Sequence, residues 1–163
     1  MKRFTKLLFS LLIPALLIYI AYPYVNLWRL DRALVGNDVA VESRLIDLTA
    51  IQGHVKASMK KETDRVIGKA DDDVSRFFRE GAKTLTDRAV AHMVDRAWVK
   101  TRLRRDGQPG ERNPFPSMLD HVRYAFFERW DLFSVRLGDL GDDPVHVHWR
   151  FKDWKWRVVA VYD

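Results

Sequence analysis

The chain has 163 residues, 28 Lys+Arg against 22 Asp+Glu, a net charge of +6 and no cysteine. That length suits one domain, and the missing cysteines exclude disulfides, thiol catalysis, cysteine-ligated zinc and a lipoprotein cysteine. Lys2, Arg3 and Lys6 supply half of the net charge, so the basicity speaks more for topology than for an acidic partner.

From Leu7 to Trp28 runs a stretch of 22 residues without a charge. As a helix it spans about 33 Å, enough for a hydrocarbon core of about 30 Å. Lys2, Arg3 and Lys6 before it, against Arg29 and Arg32 after it, favour an N-terminus in the cytoplasm. Tyr19, Tyr22, Tyr24 and Trp28 crowd the far end, where amphipathic rings prefer the interface. Pro14 and Pro23 are tolerated in lipid-embedded helices. A cleaved signal peptide competes with this reading, but the apolar stretch is long and no A-x-A-like site closes it. We therefore expect a cytoplasmic tip and uncleaved transmembrane anchor in 1–28, and an extracytoplasmic domain in 29–163.

The domain divides by its periodicity into a helical part (29–103), a loop (104–117) and a sheet (118–163). Leu27, Leu30 and Leu34 carry a helical stripe past the membrane to a cap at Gly36. Asn37 or Asp38 caps a short helix with Glu42 in its first turn. After Asp47, the spacing of Ile51, Val55 and Met59 predicts another helix, extended by Val66 and Ile67. Asp71, Asp72 and Asp73 precede an apolar face of Val74, Phe77, Phe78, Ala82 and Leu85. They suit a helix N-terminus better than a calcium loop, whose Gly and distal Glu are missing. A further helix from Thr86 has Ala89, Val90, Met93, Val94, Ala97 and Trp98 as its apolar face. Two Gly and three Pro mark Arg104 to Pro116 as a surface loop.

Beyond the loop the period changes to two. Ser117 and Asp120 suggest a turn of helix. Val122, Tyr124 and Phe126 then alternate, and Phe133, Val135 and Leu137 follow on the opposite parity. This implies a bulge or bend near Arg129 to Leu132. After a turn at Asp139 to Pro144, Val145, Val147, Trp149 and Phe151 form one strand face, with His146, His148, Arg150 and Lys152 on the other. A last strand sets Trp154, Trp156, Val158 and Ala160 on one face. The expected fold is α+β: a transmembrane helix, then several helices packed on a C-terminal antiparallel sheet of three to four strands, with Trp149, Trp154 and Trp156 in the core.

Two blocks carry a family resemblance. One holds Ala21-Tyr22-Pro23-Tyr24, Leu30-Asp31-Arg32-Ala33-Leu34, Gly36-Asn37-Asp38 and Ile46-Asp47-Leu48. The other holds Phe133-Ser134-Val135-Arg136-Leu137, Pro144 to Phe151 and Trp154-Lys155-Trp156-Arg157-Val158-Val159. Together they resemble the bacterial membrane-anchored family catalogued as domain of unknown function 2939. Gln52 stands near where that family usually has a basic residue after the Asp47 equivalent. The charge bias around the apolar run favours an inner-membrane anchor with the domain on the periplasmic or outer side; the resemblance implies an N-terminal membrane helix. It implies no activity, and its strand-rich end is similar to the cone-shaped NTF2-like and cystatin-like folds. Those folds host enzymes, binders and interaction modules alike.

Candidate chemistry is sparse. His146 and His148, at i and i+2 on a strand, point to one side and are the best metal candidates, but no third ligand is readable and Arg150 and Lys152 share their face. His92 and Asp95 lie one helical turn apart, without a nucleophile motif. Lys100, Arg102, Arg104, Arg105 and Arg112 suit a helix C-terminus, and the first four are candidates for anionic headgroups beside a membrane. Nucleic acid would need stacking aromatics beside the charges and a cytoplasmic domain, and is not expected. Phe77, Phe78, Trp98 and Phe126 are the candidate lining of an apolar pocket. No cofactor is expected. The leading expectation is a non-catalytic module that binds another envelope protein. The alternative is a small-molecule or lipid-binding module with its pocket between helices and sheet.

Overall fold

The computed structural model describes residues 2–67, 89–104, 117–141 and 143–163. The acidic run Asp71–Asp73 expected at a helix N-terminus, the helix carrying Phe77 and Phe78, and the loop residues Arg105 and Arg112 lie outside them.

One helix, α1 (Lys2–Gly36), runs through both the apolar stretch and the stripe beyond it, with Pro14 and Pro23 inside. It is long and apolar enough to cross a membrane. It is also part of the folded domain well before Trp28. Pro23, Asn26, Leu27, Leu30, Ala33 and Leu34 are buried at helical spacing. Tyr19 packs on Phe127, Phe151 and Trp156, and Tyr24 sits edge-on to Phe133 at 4.8 Å. The boundary expected at residue 28 therefore falls inside one continuous helix.

The end of α1 is built by Asn37 rather than by a glycine in the left-handed region. Asn37 has φ 55°, and the Asp38 N–H reaches back to Ala33 O at 2.9 Å. Asp38 then caps α2 (Val39–Leu45), accepting from Ala40 N and Val41 N at 3.1 Å each. Ile46 makes a single parallel bridge to Val158, and Asp47 caps α3 (Leu48–Ile67) by accepting from Ala50 N at 3.0 Å.

The helix expected from Thr86 through Trp98 is two helices. α4, of which residues 89–93 are described, stops at a bend over Val94–Asp95, and α5 (Arg96–Arg104) begins after it. The Asp95 carboxylate accepts from Trp98 N at 2.7 Å and so restarts the helix as its cap. Val90, Val94, Val99 and Leu103 are the buried face, whereas Met93 is 60% exposed. A 3-10 turn (Met118–His121) follows, held from outside: Asp31 of α1 accepts from Ser117 Oγ at 2.9 Å and from Leu119 N at 3.3 Å.

The sheet is an antiparallel meander of β1 (Val122–Arg129), β2 (Leu132–Leu137), β3 (Val145–Lys152) and β4 (Lys155–Tyr162), in that order. The β3 alternation is as read, with Val145, Val147 and Trp149 buried. Three assignments are corrected by irregularities that periodicity cannot reveal. Shifts in register at both ends of β1 put Ala125 and Phe127 opposite Val135 and Phe133, on the core face. Tyr124 and Phe126 take the other face, where Phe126 is 46% exposed. In β4 a bulge at Val159 makes Val158 pair with Trp149 but Ala160 with His148, so Ala160 leaves the core face. Trp154 belongs to the β3–β4 turn, with φ 60°, and is 88% exposed.

The core lies between α1 and the sheet. Leu30, Leu34, Phe133, Leu137, Trp149, Trp156, Val99, Leu103 and Met118 are each at most 1% exposed and belong to one apolar cluster. Burying side chains of this size is worth about 1.5–3 kcal/mol each, which offsets the entropy of ordering them.

Candidate functional site

The face of the sheet turned away from α1 is polar. Three histidines surround one tyrosine there. Tyr162, the last residue of β4, stacks on His146 (5.4 Å between ring centres, 14°), meets His148 edge-on at 5.2 Å, and lies 5.4 Å from His54 of α3. The bulge at Val159 is what turns Tyr162 to this side, opposite His146. Its hydroxyl lies 2.9 Å from His148 Nε2. Glu128 of β1 comes within 3.9 Å of the same nitrogen and accepts a hydrogen bond from Ser134 Oγ at 2.6 Å.

The electrostatics of this cluster are mixed. Burial pushes His148 below the ordinary histidine value; Glu128 opposes that, and His54, His146 and Arg150 add to it. Burial, with Glu128 and Tyr124 beside it, pushes the Tyr162 hydroxyl up. The Ser134 proton is aimed at Glu128 and not at an imidazole, so this serine is not set up as a nucleophile with a histidine base. His146 and His148 do share a face, as the i, i+2 spacing requires, but both abut the Tyr162 ring. Among the described residues no three His, Asp or Glu side chains converge on a metal position.

Next to the cluster, toward the β3–β4 turn, lies a groove of about 480 Å³ between the start of α3 and the outer face of β3 and β4. Arg150, Lys152, Lys155 and Arg157 line it together with His54 and His148, against Asp47 and Asp153. Strand register sets Arg150 directly across from Arg157 and Lys152 across from Lys155. Like charges opposite one another cost stability, and among the described residues none of the four has an ion-pair partner within 4 Å. The sequence did carry a signal for this. A two-residue turn at Asp153-Trp154 forces those like-charged pairs.

The other expected site residues lie elsewhere. Lys100 donates to Asn37 Oδ1 and comes within 3.6 Å of Glu42, which is buried, so it bridges α5 to α2. Arg102 is paired with Asp163 and lies 5.2 Å over the Trp98 ring. Arg104 is half-buried at the end of α5. Trp98 packs half-buried against the core, whereas Phe126 is on the outer face and, among the described residues, lines no space between helices and sheet. Asp95, one helical turn from His92 in sequence, is occupied as the cap of α5.

No curated protein and no solved structure matches the chain. Residues 12–101 match the family described as Protein of unknown function (DUF2939). The match takes in the N-terminal block of the resemblance and ends before the sheet block. It starts in the apolar part of α1, runs through the Asn37–Asp38 caps to α5, and covers more than half of the sequence, so the chain belongs to the DUF2939 family.

Proposed function

We propose that this chain is a non-catalytic, single-pass module of the bacterial envelope that holds an acidic segment of another envelope protein in the groove on the outer face of β3 and β4. The observation that carries this reading is the set of four cations, Arg150, Lys152, Lys155 and Arg157, stacked as two like-charged cross-strand pairs. An incoming carboxylate pair relieves that repulsion and exchanges its water for charge-assisted hydrogen bonds. The cations Lys2, Arg3 and Lys6 ahead of the apolar helix favour a cytoplasmic N-terminus, which puts the groove on the periplasmic or outer side. The orientation of Ser134 toward Glu128 supports a binding role over acyl transfer.

The alternative, a lipid or small molecule between helices and sheet, has little support. Among the described residues that space is filled by Phe133, Trp149, Trp156 and the leucines of α1.

The test is photo-crosslinking in cells from a probe replacing Val159, which lines the groove, with a second probe replacing the exposed Met93. One reproducible adduct from the groove, lost in Arg150→Glu/Arg157→Glu and absent from the Met93 position, is the expected result. Adducts that survive the charge reversal, or none from the groove, would sink the reading.

A further inference from the structure

Both hairpin turns at one end of the sheet carry an exposed tryptophan. Trp130 in the β1–β2 turn is 72% exposed and Trp154 in the β3–β4 turn is 88% exposed. That end is also where α1 first meets the sheet. The Tyr19 hydroxyl donates to Trp130 O, and the Tyr19 ring packs on Phe151 and Trp156. The opposite end of the sheet is where α1 finishes, with Asp31 holding Ser117 and Leu119 just before β1. The apolar residues Leu11, Leu12, Ile13, Leu16, Leu17 and Ile18, all more than half exposed, therefore lie on the part of α1 that leads away from the two tryptophan turns.

Helix length makes this arrangement consequential. From Leu7 to Ile18 the uncharged helix ahead of Tyr19 is 12 residues, about 18 Å, against a hydrocarbon core of about 30 Å. A domain held clear of the headgroups leaves the anchor too short. Sinking the uncharged run as far as Trp28 draws the turns about 15 Å deeper, and carries Arg129, Asp131, Lys152, Asp153 and Lys155 into hydrocarbon, where charges and open strand ends are strongly disfavoured. The depth between these extremes has the turns in the interfacial layer, with the basic end of the chain at the other side.

From this geometry we infer that Trp130 and Trp154 seat the domain on an anionic bilayer, their rings in the interface through which α1 enters. The inference rests on the membrane-anchor part of the reading above; it shares Lys152 and Lys155 with the groove but does not depend on what the groove holds. Three observations agree with it. Tryptophan is the side chain that prefers the interface. Trp154 is held at φ 60°, next to Asp153 at φ 51°, a two-residue turn that favours Asn-Gly, so an exposed bulky ring occupies a position where a glycine relaxes the backbone. Arg129, Lys152 and Lys155 flank the two rings; Arg129 is paired with Asp131 at 3.6 Å and Asp153 lies beside Trp154, so Lys152 and Lys155 are the cations left for acidic headgroups. Seated in this way, the domain cannot swing on its anchor, and the groove is held at a fixed height just above the headgroups.

The cysteine-free chain allows a direct test. Single cysteines replace Leu17, Trp130, Trp154 or Leu140 in the full-length protein, each labelled with an environment-sensitive dye. Leu140 is 74% exposed in the turn at the other end of the sheet. The proteins are reconstituted in phosphatidylcholine vesicles with or without phosphatidylglycerol, and thermal melts verify folding. Blue-shifted emission is expected at 130 and 154, intermediate between strongly shifted 17 and unshifted 140. Lys152→Glu/Lys155→Glu should lessen the shift at 154 in the phosphatidylglycerol vesicles. Water-like emission at 130 and 154 with a lipid-like signal at 17 overturns the seat and leaves the anchor standing. Water-like emission at 17 overturns the anchor and this inference with it.

Discussion

The two faces of the four-stranded sheet share a backbone and differ in everything else. The inner face sets Phe133, Trp149 and Trp156 against α1, all at most 1% exposed. The outer face sets arginine across from arginine and lysine across from lysine, with histidines around Tyr162. One face is arranged for burial. The other sets like charges across from one another, contacts that cost the fold stability rather than supply it.

The sharpest way to break this comparison is to truncate one large side chain on each face. Trp149→Ala, at 0% exposure in the middle of the core cluster, should cost about 3–5 kcal/mol and leave the domain largely unfolded at ordinary temperature. Phe126→Ala, almost half exposed on the outer face, should cost at most about 1 kcal/mol. Thermal melts in detergent read both. Equal losses would mean that the outer face is covered and structural.

The Lys100–Glu42 pair lies between these limits. The Glu42 side chain is 8% exposed, its Oε1 has no hydrogen-bond partner, and Lys100 Nζ at 3.6 Å is its counter-charge. Lys100→Ala should therefore destabilise by about 3 kcal/mol, because it leaves a carboxylate nearly buried and alone. Adding Glu42→Gln should recover part of that loss in a double-mutant cycle. If Lys100 serves chiefly as a headgroup contact, the melt will hardly change and vesicle binding will fall.

How far the two faces were legible follows from the same physics. β3 was readable because Val145, Val147, Trp149 and Phe151 alternate without a break and the histidines and Arg150 fill the gaps. β1 and β4 were not, because a one-residue bulge reverses every side chain beyond it and leaves no mark in composition. The period alone sets Phe126 toward a pocket and Ala160 on the face of Trp156 and Val158, whereas the bulges turn Phe126 outward and pair Ala160, still buried at 3% exposure, with His148. α1 hid a different fact. Lipid and a protein core both select apolar residues, so Tyr19 and Tyr24, which pack on the sheet, are indistinguishable in sequence from neighbours that do not. The caps, by contrast, are local chemistry, and Asp38 was readable within its own turn. The cap on the 3-10 turn was not, since its carboxylate comes from Asp31, 86 residues before Ser117.

On the outer face, substitution should change the sign of the effect. Arg150→Thr removes one of two arginines facing each other and puts a β-branched residue in a strand. It should raise stability by up to about 1 kcal/mol while weakening capture of the acidic segment proposed for the groove. A melt that falls instead would show that Arg150 has a structural role.

The smallest effect is the most specific to the histidine cluster. His148 is held below its ordinary value of 6.5, first by burial and then by His54, His146 and Arg150, with Glu128 opposing. The unfolded chain therefore binds the proton more readily than the folded one. Stability is fully present above the unfolded value. It falls as pH drops from about 6.5 toward the folded value and flattens below it. Melts from about pH 7.5 to about pH 5 should show this decline, and His148→Gln should remove part of it. Tyr162 works in the opposite direction at the other end of the scale. Its hydroxyl is raised above 10.0, so its contribution is full below that value and is lost as pH rises through the folded one. Tyr162→Phe should blunt the alkaline loss while leaving the aromatic contacts to His146 and His54 in place. An acid decline identical in His148→Gln and the parent would move its origin to the carboxylates and away from this face.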